Sequence, residues 1–167
     1  LSQTYPSPID DVWDAVTSSD RIPRWFLPIT GDLRQGGTYQ FEGNAGGEIR
    51  HCAPPSGGSA EYSVTWGMGQ GEPTIVHIRL SAVNATSTRL ELENVAAVDS
   101  IPEGFWEQFG PSATGMGWDS GLLGLAQYYS GGEDGITPEA AAAWVATPEG
   151  KAFMRASADA WAAVHER

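Results

Sequence analysis

Residues 115–129 read GMGWDSGLLGLAQYY, a segment of helical length in which glycines interrupt a stripe of large apolar residues. Trp118, Leu122, Leu125 and Tyr129 recur at alternating intervals of four and three residues. At roughly 100° per residue in an α-helix, these four side chains lie on one face. The sequence therefore predicts a helix whose apolar face covers another element of the structure.

The glycines of this helix predict close approaches to its surface. Each interior glycine costs roughly 0.5–1 kcal/mol of helix stability relative to alanine, so a compensating role is expected. We expect Gly115, near the stripe, to leave ligand space beneath the helix. We expect Gly117, Gly121 and Gly124, on a flank, to pack closely against the tail or the first helix. Gly121→Leu should then reduce stability more than binding, and Gly115→Leu should do the reverse.

From residue 36 onward, apolar and polar residues alternate, which is typical of strands with one buried face. Strands are predicted at 38–42, 48–53, 61–66, 74–80 and 89–94. Together they indicate an antiparallel sheet with one wet face and one dry face, which the helix at 115–129 would cover. The inward-facing positions are Tyr39, Phe41, Tyr62, Val64, Trp66, Val76, Ile78, Leu80, Leu90 and Leu92.

Helix-start signals mark four further segments. Ser7 before Pro8 predicts a capped helix over residues 9–16. A short helix is predicted at 20–25, with Trp25 and Phe26 as an apolar plug. In the tail, Thr137 and Thr147 each precede a proline and a glutamate, which predicts two more helices. Because threonine, proline and glutamate are common helix-start residues, we interpret this repetition as two independent helix starts and not as a duplicated module.

Composition limits the function classes. The chain of 167 residues fits one domain and carries a formal net charge of −12, which disfavours binding to nucleic acid and to anionic membranes. It has no apolar run of about 18 residues, so membrane insertion is not expected. Cys52 is the single cysteine and has no partner for an internal disulfide, which favours a soluble, reducing, cytoplasmic setting. Since the sequence begins with Leu1, we expect further residues upstream.

The order of these elements, a helix, a short helix, antiparallel strands and a long helix, resembles the helix-grip fold. The chain resembles the SRPBCC superfamily, which is related to START domains, and in particular the branch similar to the activator of the heat-shock-chaperone ATPase (AHSA-type). The matching segments are IDDVWDAV at 9–16, RWF at 24–26, GGTYQF at 36–41, GGEI at 46–49, APP at 53–55, YSVTW at 62–66, STRLELEN at 87–94 and GWDSGLLGLAQYY at 117–129. Members often carry a histidine where this chain has Asn94.

The resemblance implies an α+β fold in which a curved antiparallel sheet wraps around the long C-terminal helix. The resemblance covers roughly residues 5–130. We predict a helix-grip domain over residues 1–132, with residues 133–167 as a helical extension packed on the same domain. The resemblance also implies a cavity between sheet and helix that holds a hydrophobic small molecule. The candidate ligand-binding residues are Trp25, Tyr39, Phe41, Tyr62, Val64, Trp66, Ile78, Leu80, Leu92, Asn94, Gly115, Trp118, Leu122 and Leu125. Each of the apolar ones is either cavity lining or plain core.

The sequence offers few signals for catalysis or for metal binding. The segment GWDSG superficially resembles a nucleophile elbow, but its serine is off-centre and follows no strand. His51, His77 and His165 show no metal-ligand spacing, so no metal and no cofactor is expected. The segment GMGQG at 67–71 lacks the spacing and lysine of a phosphate-binding loop and reads as a turn. For acid-base chemistry the candidates are Glu107, Asp99 and Asn94, with the tyrosines as donors, and we assign no catalytic residue.

Three functions follow from these observations. The leading hypothesis is non-catalytic binding of a hydrophobic or aromatic small molecule under the long helix. A binding protein is thus favoured over an enzyme. The first alternative is a polyketide cyclase-like or dehydratase-like enzyme that uses the same pocket. The second is a protein-interaction regulator of a chaperone or another partner, for which residues Phe105, Trp106 and Phe109 are the exposed apolar candidates. A second copy of the chain, in a homodimer, is also a candidate partner.

Overall fold

The computed structural model describes residues 1–69, 71–101, 103–131 and 138–166. Within these residues the chain forms one antiparallel sheet in the order β1-β7-β6-β5-β4-β3-β2, together with helices that lie against it or against each other. The strands are β1 (Ser2–Tyr5), β2 (Ile29–Gly31), β3 (Thr38–Phe41), β4 (Gly46–Ser56), β5 (Ser59–Trp66), β6 (Thr74–Asn84) and β7 (Ser87–Val95). The helices are α1 (Ile9–Thr17), α2 (Phe105–Phe109), α3 (Ser112–Gly131), α4 (Pro138–Val145) and α5 (Pro148–His165), with 3-10 turns at Ile22–Arg24 and Val98–Ser100.

The sheet and α3 enclose the hydrophobic core. Register shifts in the pairing of β4 with β5, between Ile49 and His51 and between Ala53 and Ser56, interrupt the ladder, and such irregularities increase strand bend and twist. From α3, Leu122 and Leu125 are buried against the dry face of the sheet. A curved antiparallel sheet around a long helix is the helix-grip arrangement, so the predicted α+β fold is confirmed.

The first helix covers part of the same face. Val12, Ala15 and Val16 of α1 are buried, and α1 contacts β4, β5, β6 and β7. Because α1 takes this area of the sheet, the space left beneath α3 is confined to the remaining part of the dry face.

Several boundaries differ from the sequence prediction. β4 continues through both prolines to Ser56, and β6 continues to Asn84. The short elements β1, β2 and α2 were not predicted, because three to five residues are too few to show a period. β1 forms through its partner, since it pairs along β7 and places Tyr5 in the core, 1% exposed.

The predicted helix caps had different outcomes. At α5 the prediction is confirmed, because Thr147 accepts a hydrogen bond from the Gly150 amide at 3.1 Å. At α1 it is wrong: the Ser7 hydroxyl donates to the Asp11 carboxylate at 2.6 Å, and α1 has no side-chain cap. The reason is position: α1 begins at Ile9 with Pro8 at its N-cap, so Ser7 lies one residue before the capping position. Thr137 lies outside the described residues.

A polar cluster joins α1 to the C-terminal end of α3. The Asp11 carboxylate accepts hydrogen bonds from Ser7, from Tyr129 at 2.9 Å and from Arg21 at 2.7 Å, and Arg21 also donates to the Tyr128 hydroxyl. Burial raises the pKa of Asp11, but these hydrogen bonds and the Arg21 charge outweigh burial, so that the net pKa is lowered. The cluster therefore fixes α3 on α1 with a carboxylate that favours its charged form.

The tail helix α5 is fastened to α3 by a carboxylate. Asp119 accepts hydrogen bonds from the Ser157 hydroxyl at 2.5 Å and from the Trp161 indole N–H at 2.8 Å. One helical turn earlier, Gly115 lies directly beneath the Trp161 ring, where a Cβ would clash. The GWDSG segment thus has a structural role, because its aspartate holds the tail.

No helix in the described ranges is long and apolar enough to cross a membrane.

Candidate ligand-binding cavity

A cavity of about 120 Å³ lies between the dry face of the sheet and α3, and we call it the inner cavity. Strands β3 to β7 supply one wall and α3 supplies the opposite one. The C-terminal end of α1 and residues 22–33 supply the rest. Strand alternation explains the first wall, because every second residue points to the same face. The predicted residues that line it are Trp25, Tyr39, Phe41, Tyr62, Val64, Trp66, Ile78, Leu92, Trp118, Leu122 and Leu125.

Three predicted site residues lie elsewhere. Leu80 is 1% exposed and packs in the core rather than at the cavity. Asn94 lies one inward position beyond Leu92 on β7 and does not line the cavity. Its Oδ1 atom is buried and has no hydrogen-bond partner within the described residues.

The assignments of two glycines on α3, Gly115 and Gly121, are reversed. Gly115, expected to leave ligand space, faces Trp161 of the tail. Gly121, expected on a packed flank, lines the inner cavity, where an added Cβ would lie 3.6 Å from the Phe26 ring. Gly124 does pack closely, against the Trp25 carbonyl oxygen, whereas a Cβ on Gly117 would meet open space. The predicted contrast between Gly121→Leu and Gly115→Leu is therefore wrong, because each glycine occupies the other's surroundings.

Other lining residues were not predicted as site residues. Ile49, Val76 and Leu90 share the dry face of the sheet, and their alternation was a usable signal. Most of the remaining ones come from irregular segments or from the ends of elements, where no period marks the inward side, whereas Cys52 lies within β4 and Gly121 within α3. These remaining residues are Val16, Thr17, Ile22, Phe26, Ile29, Leu33, Cys52 and Gly121.

Aromatic rings form one connected wall of the cavity. Phe26 packs edge-on against Phe41 with ring centroids 5.0 Å apart, and Phe41 lies 5.6 Å from Trp66. Trp66 in turn lies 4.7 Å from Trp118 of α3. Tilted and edge-on pairs at these distances are favourable for aromatic rings, and the same ring faces and edges can receive an aromatic ligand.

The polar atoms at the cavity are few, and most are already satisfied. The Tyr39 hydroxyl donates to the Thr65 carbonyl at 2.7 Å, and the Trp25 indole N–H donates to the Ala15 carbonyl at 2.8 Å. The Tyr62 hydroxyl makes no hydrogen bond within the described residues. Burial raises its pKa, so the hydroxyl stays protonated and neutral. Burial also raises the pKa of the Cys52 thiol. A neutral hydroxyl without a partner is therefore available to a ligand in the inner cavity.

Charged groups are absent from the lining that the structure describes. The acid-base candidates Asp99 and Glu107 are exposed and do not line the cavity. Across the described ranges, His, Cys, Asp and Glu side chains form no group of three or more that could hold a metal ion. The rings of Phe105, Trp106 and Phe109 on α2 are 39%, 48% and 44% exposed, outside the cavity.

Solved structures share this fold over nearly the whole chain. The crystal structure of CalU16 from Micromonospora echinospora is 31% identical with a TM-score of 0.73, and the match covers 99% of this chain and 86% of that one. The solution structure of CalU16 is 32% identical with a TM-score of 0.76, covering 99% and 85%. A protein from Bordetella parapertussis is 22% identical with a TM-score of 0.62, covering 95% and 82%. The CalU16 matches extend through the tail helices.

A comparison with curated proteins gave no match. The family model described as "Activator of Hsp90 ATPase homolog 1-like protein" matches residues 6–130, which is well over half of the chain. This match ends within α3, so the tail lies beyond it, and β1 lies before it. Strands β2 to β7, α1 and both walls of the inner cavity lie inside it. The resemblance read from the sequence is thus confirmed, and the chain belongs to the family of activator of Hsp90 ATPase homolog 1-like proteins.

Proposed function

We propose that this protein binds a hydrophobic, aromatic small molecule in the inner cavity and releases it chemically unchanged. The observation that supports this most directly is an apolar cavity, walled by packed rings, that holds one hydroxyl without a partner. Apolar burial would supply the affinity, and the Tyr62 hydroxyl would orient the ligand through one hydrogen bond.

The size of the inner cavity limits what it can hold as it stands. Drug-sized ligands occupy sites of roughly 300–1,000 Å³, well above the 120 Å³ observed. An engineered apolar cavity of about 150 Å³ binds benzene. The inner cavity therefore matches one aromatic ring with a hydrogen-bonding substituent, which is the chemistry of a simple phenol.

The cyclase-like alternative has less support. Proton transfer at neutral pH is most effective when the catalytic group has a pKa near the working pH. The described lining offers no carboxylate, histidine or lysine, and burial moves the pKa values of Tyr39 and Tyr62 further above their usual range. Non-catalytic binding therefore fits the cavity better than acid-base turnover.

Calorimetry with p-cresol tests the proposal. Val64 is buried on β5 at the cavity wall, and Val64→Phe should fill the space and abolish p-cresol binding. Val83 on β6 is 57% exposed, so Val83→Phe makes the same chemical change outside the cavity and should leave binding intact. Tyr62→Phe should weaken binding by about two- to tenfold, which is the value of one net hydrogen bond.

Two outcomes would contradict the proposal. One is that p-cresol does not bind to the wild-type protein. The other is that Val64→Phe, shown to be folded by circular dichroism, binds p-cresol as tightly as Val83→Phe does.

A further inference from the structure

A second cavity, of about 230 Å³, lies between α3 and α4. Residues 25–27, which follow the 3-10 turn at Ile22–Arg24, also line it. We call it the outer cavity. Leu27, Leu123, Trp144 and Val145 supply much of its apolar surface, and Ser120 and Gln127 supply polar side chains. Its α4 wall belongs to the tail, which lies beyond the residues that the family model matches.

The inner and outer cavities share a wall. Trp25, Phe26 and Gly121 line both of them. Gly121 is the part of this wall that α3 supplies. It has no side chain, and an added Cβ would lie 3.6 Å from the Phe26 ring. Of the three shared residues only Trp25 and Phe26 have side chains, so these two rings form the side-chain part of the wall between the cavities.

The two rings are held very differently. Trp25 is fixed by its indole hydrogen bond to the Ala15 carbonyl, and its own carbonyl oxygen packs against Gly124. The Phe26 ring makes no hydrogen bond and is held by apolar contacts, with ring centroids 5.0 Å from Phe41 and 5.6 Å from Trp25. Because a phenylalanine side chain can change rotamer without breaking a hydrogen bond, Phe26 is the part of the wall that can move.

We propose that Phe26 is a movable partition and that the two cavities together form one site for an elongated aromatic molecule of two or more rings. One ring would occupy the inner cavity, and the rest of the molecule would lie beneath α4. This inference rests on the proposed function of the inner cavity. Neither cavity alone reaches the roughly 300 Å³ at which ligand sites usually begin, whereas their combined volume does.

The polar groups at the two ends favour the same class of ligand. Within the described residues, neither the Tyr62 hydroxyl at the inner cavity nor the Gln127 side-chain amide at the outer cavity has a hydrogen-bond partner. The Ser120 hydroxyl is already used, since it donates to the Met116 carbonyl at 2.9 Å. The geometry thus suits a flat apolar molecule with a hydrogen-bonding group at one end or at both.

Two probes that share a phenol group distinguish a site confined to the inner cavity from one that spans both cavities. p-Cresol carries one ring, and 4-hydroxystilbene carries the same phenol with a second ring attached through a rigid vinyl link. We expect 4-hydroxystilbene to bind the wild-type protein at least about tenfold more tightly, because the second ring buries further apolar area. Calorimetry measures both affinities.

Two glycines of α3 provide a matched pair of variants. Gly117 lines the outer cavity only, Gly131 is exposed at the end of the helix, and a Cβ at either position meets no other atom within 4 Å. Gly117→Leu should weaken 4-hydroxystilbene binding about tenfold and change p-cresol binding by less than about twofold. Gly131→Leu should change neither. In stopped-flow experiments, Phe26→Ala should accelerate association of 4-hydroxystilbene, because no ring then has to move aside.

The possible results distinguish this inference from the proposed function. If p-cresol binds but 4-hydroxystilbene binds no more tightly, or if Gly117→Leu leaves the affinity for 4-hydroxystilbene unchanged, the joined site is refuted and the inner site stands. If neither probe binds, both are refuted.

Discussion

The two faces of α3 are attached to the rest of the molecule by opposite means. Toward the sheet, Leu122 and Leu125 fill a wide apolar contact. Toward the tail, Gly115 lets the Trp161 ring approach the helix backbone, and Asp119 binds that indole and Ser157. The first face is stabilised by buried area and the second by a close approach together with hydrogen bonds. Hydrophobic periodicity can reveal only the first kind of contact.

The largest effect is expected on the sheet face. Leu125 is fully buried, and Leu125→Ala should reduce the free energy of unfolding by roughly 2–5 kcal/mol, because it removes buried area and enlarges the inner cavity. Urea denaturation measures this loss. Leu123 is half-buried at the outer cavity, so Leu123→Ala is the control and should cost less. Equal losses in the two variants would show that the sheet face does not dominate the stability of α3.

A smaller loss is expected when the tail is detached. Asp119→Ala should cost about 2 kcal/mol, since it leaves Ser157 and the Trp161 N–H without their charged acceptor. Amide hydrogen exchange should then accelerate in α5 and stay slow in the strands. Asp159→Ala, at an exposed position of α5, is the matched control. Unchanged exchange in α5 would mean that the carboxylate does not hold the tail.

Two neighbouring glycines test the close approach directly. Gly115→Ala should lower the free energy of unfolding by about 1–2 kcal/mol, because the new methyl group overlaps the Trp161 ring. Gly117→Ala meets open space and should raise it by about 0.5–1 kcal/mol through better helix propensity. Thermal unfolding of both variants gives the signs. A gain in both variants would contradict the packing of Trp161 on α3.

The smallest effect concerns the polar cluster at the other end of α3. Because the folded-state pKa of Asp11 is lowered, its contribution is complete above the unfolded pKa of about 3.9 and disappears as the pH falls through the folded value. Asp11→Asn should therefore cost about 1 kcal/mol at neutral pH, a modest value because the side chain is 40% exposed and screened by solvent. Below about pH 4 the difference from the wild type should shrink.

Urea denaturation at pH 7 and at pH 3 measures that difference. Asp10→Asn is the control, since Asp10 is exposed and takes no part in the hydrogen bonds of the cluster. A difference between Asp11→Asn and the wild type that is as large at pH 3 as at pH 7 would exclude the carboxylate as its source.

The fold could be predicted from the sequence because its main signals are local. Alternation places Tyr62 and Val64 on one face of β5 and Ser63 on the other. β5 then pairs with β6 in the register that puts Val64 opposite Val76. The order of helices and strands then indicated the helix-grip fold, which the structure and the family match confirm. The homodimer and the cytoplasmic setting stay predictions.

The candidate site could be predicted only where a period runs through it. Strand positions such as Phe41 and Trp66 were found, whereas Phe26 and Leu33 come from irregular segments without a period. The surroundings of Gly115 and Gly121 were predicted the wrong way round, because a glycine has no side chain whose polarity would indicate its surroundings. The partners that define them, Trp161 and Phe26, are brought close only by tertiary structure.

The pairing of β1 with β7 has a consequence for synthesis on the ribosome. Ser2 pairs with Glu91, and the Tyr5 hydroxyl donates to the Leu122 carbonyl, 117 residues further along the chain. The first strand therefore emerges from the exit tunnel long before its partner is translated. The edge of the sheet can close only when most of the chain has been made, and contacts of such sequence separation slow folding. Until then, β1 is an unpaired segment that chaperones or proteases can reach.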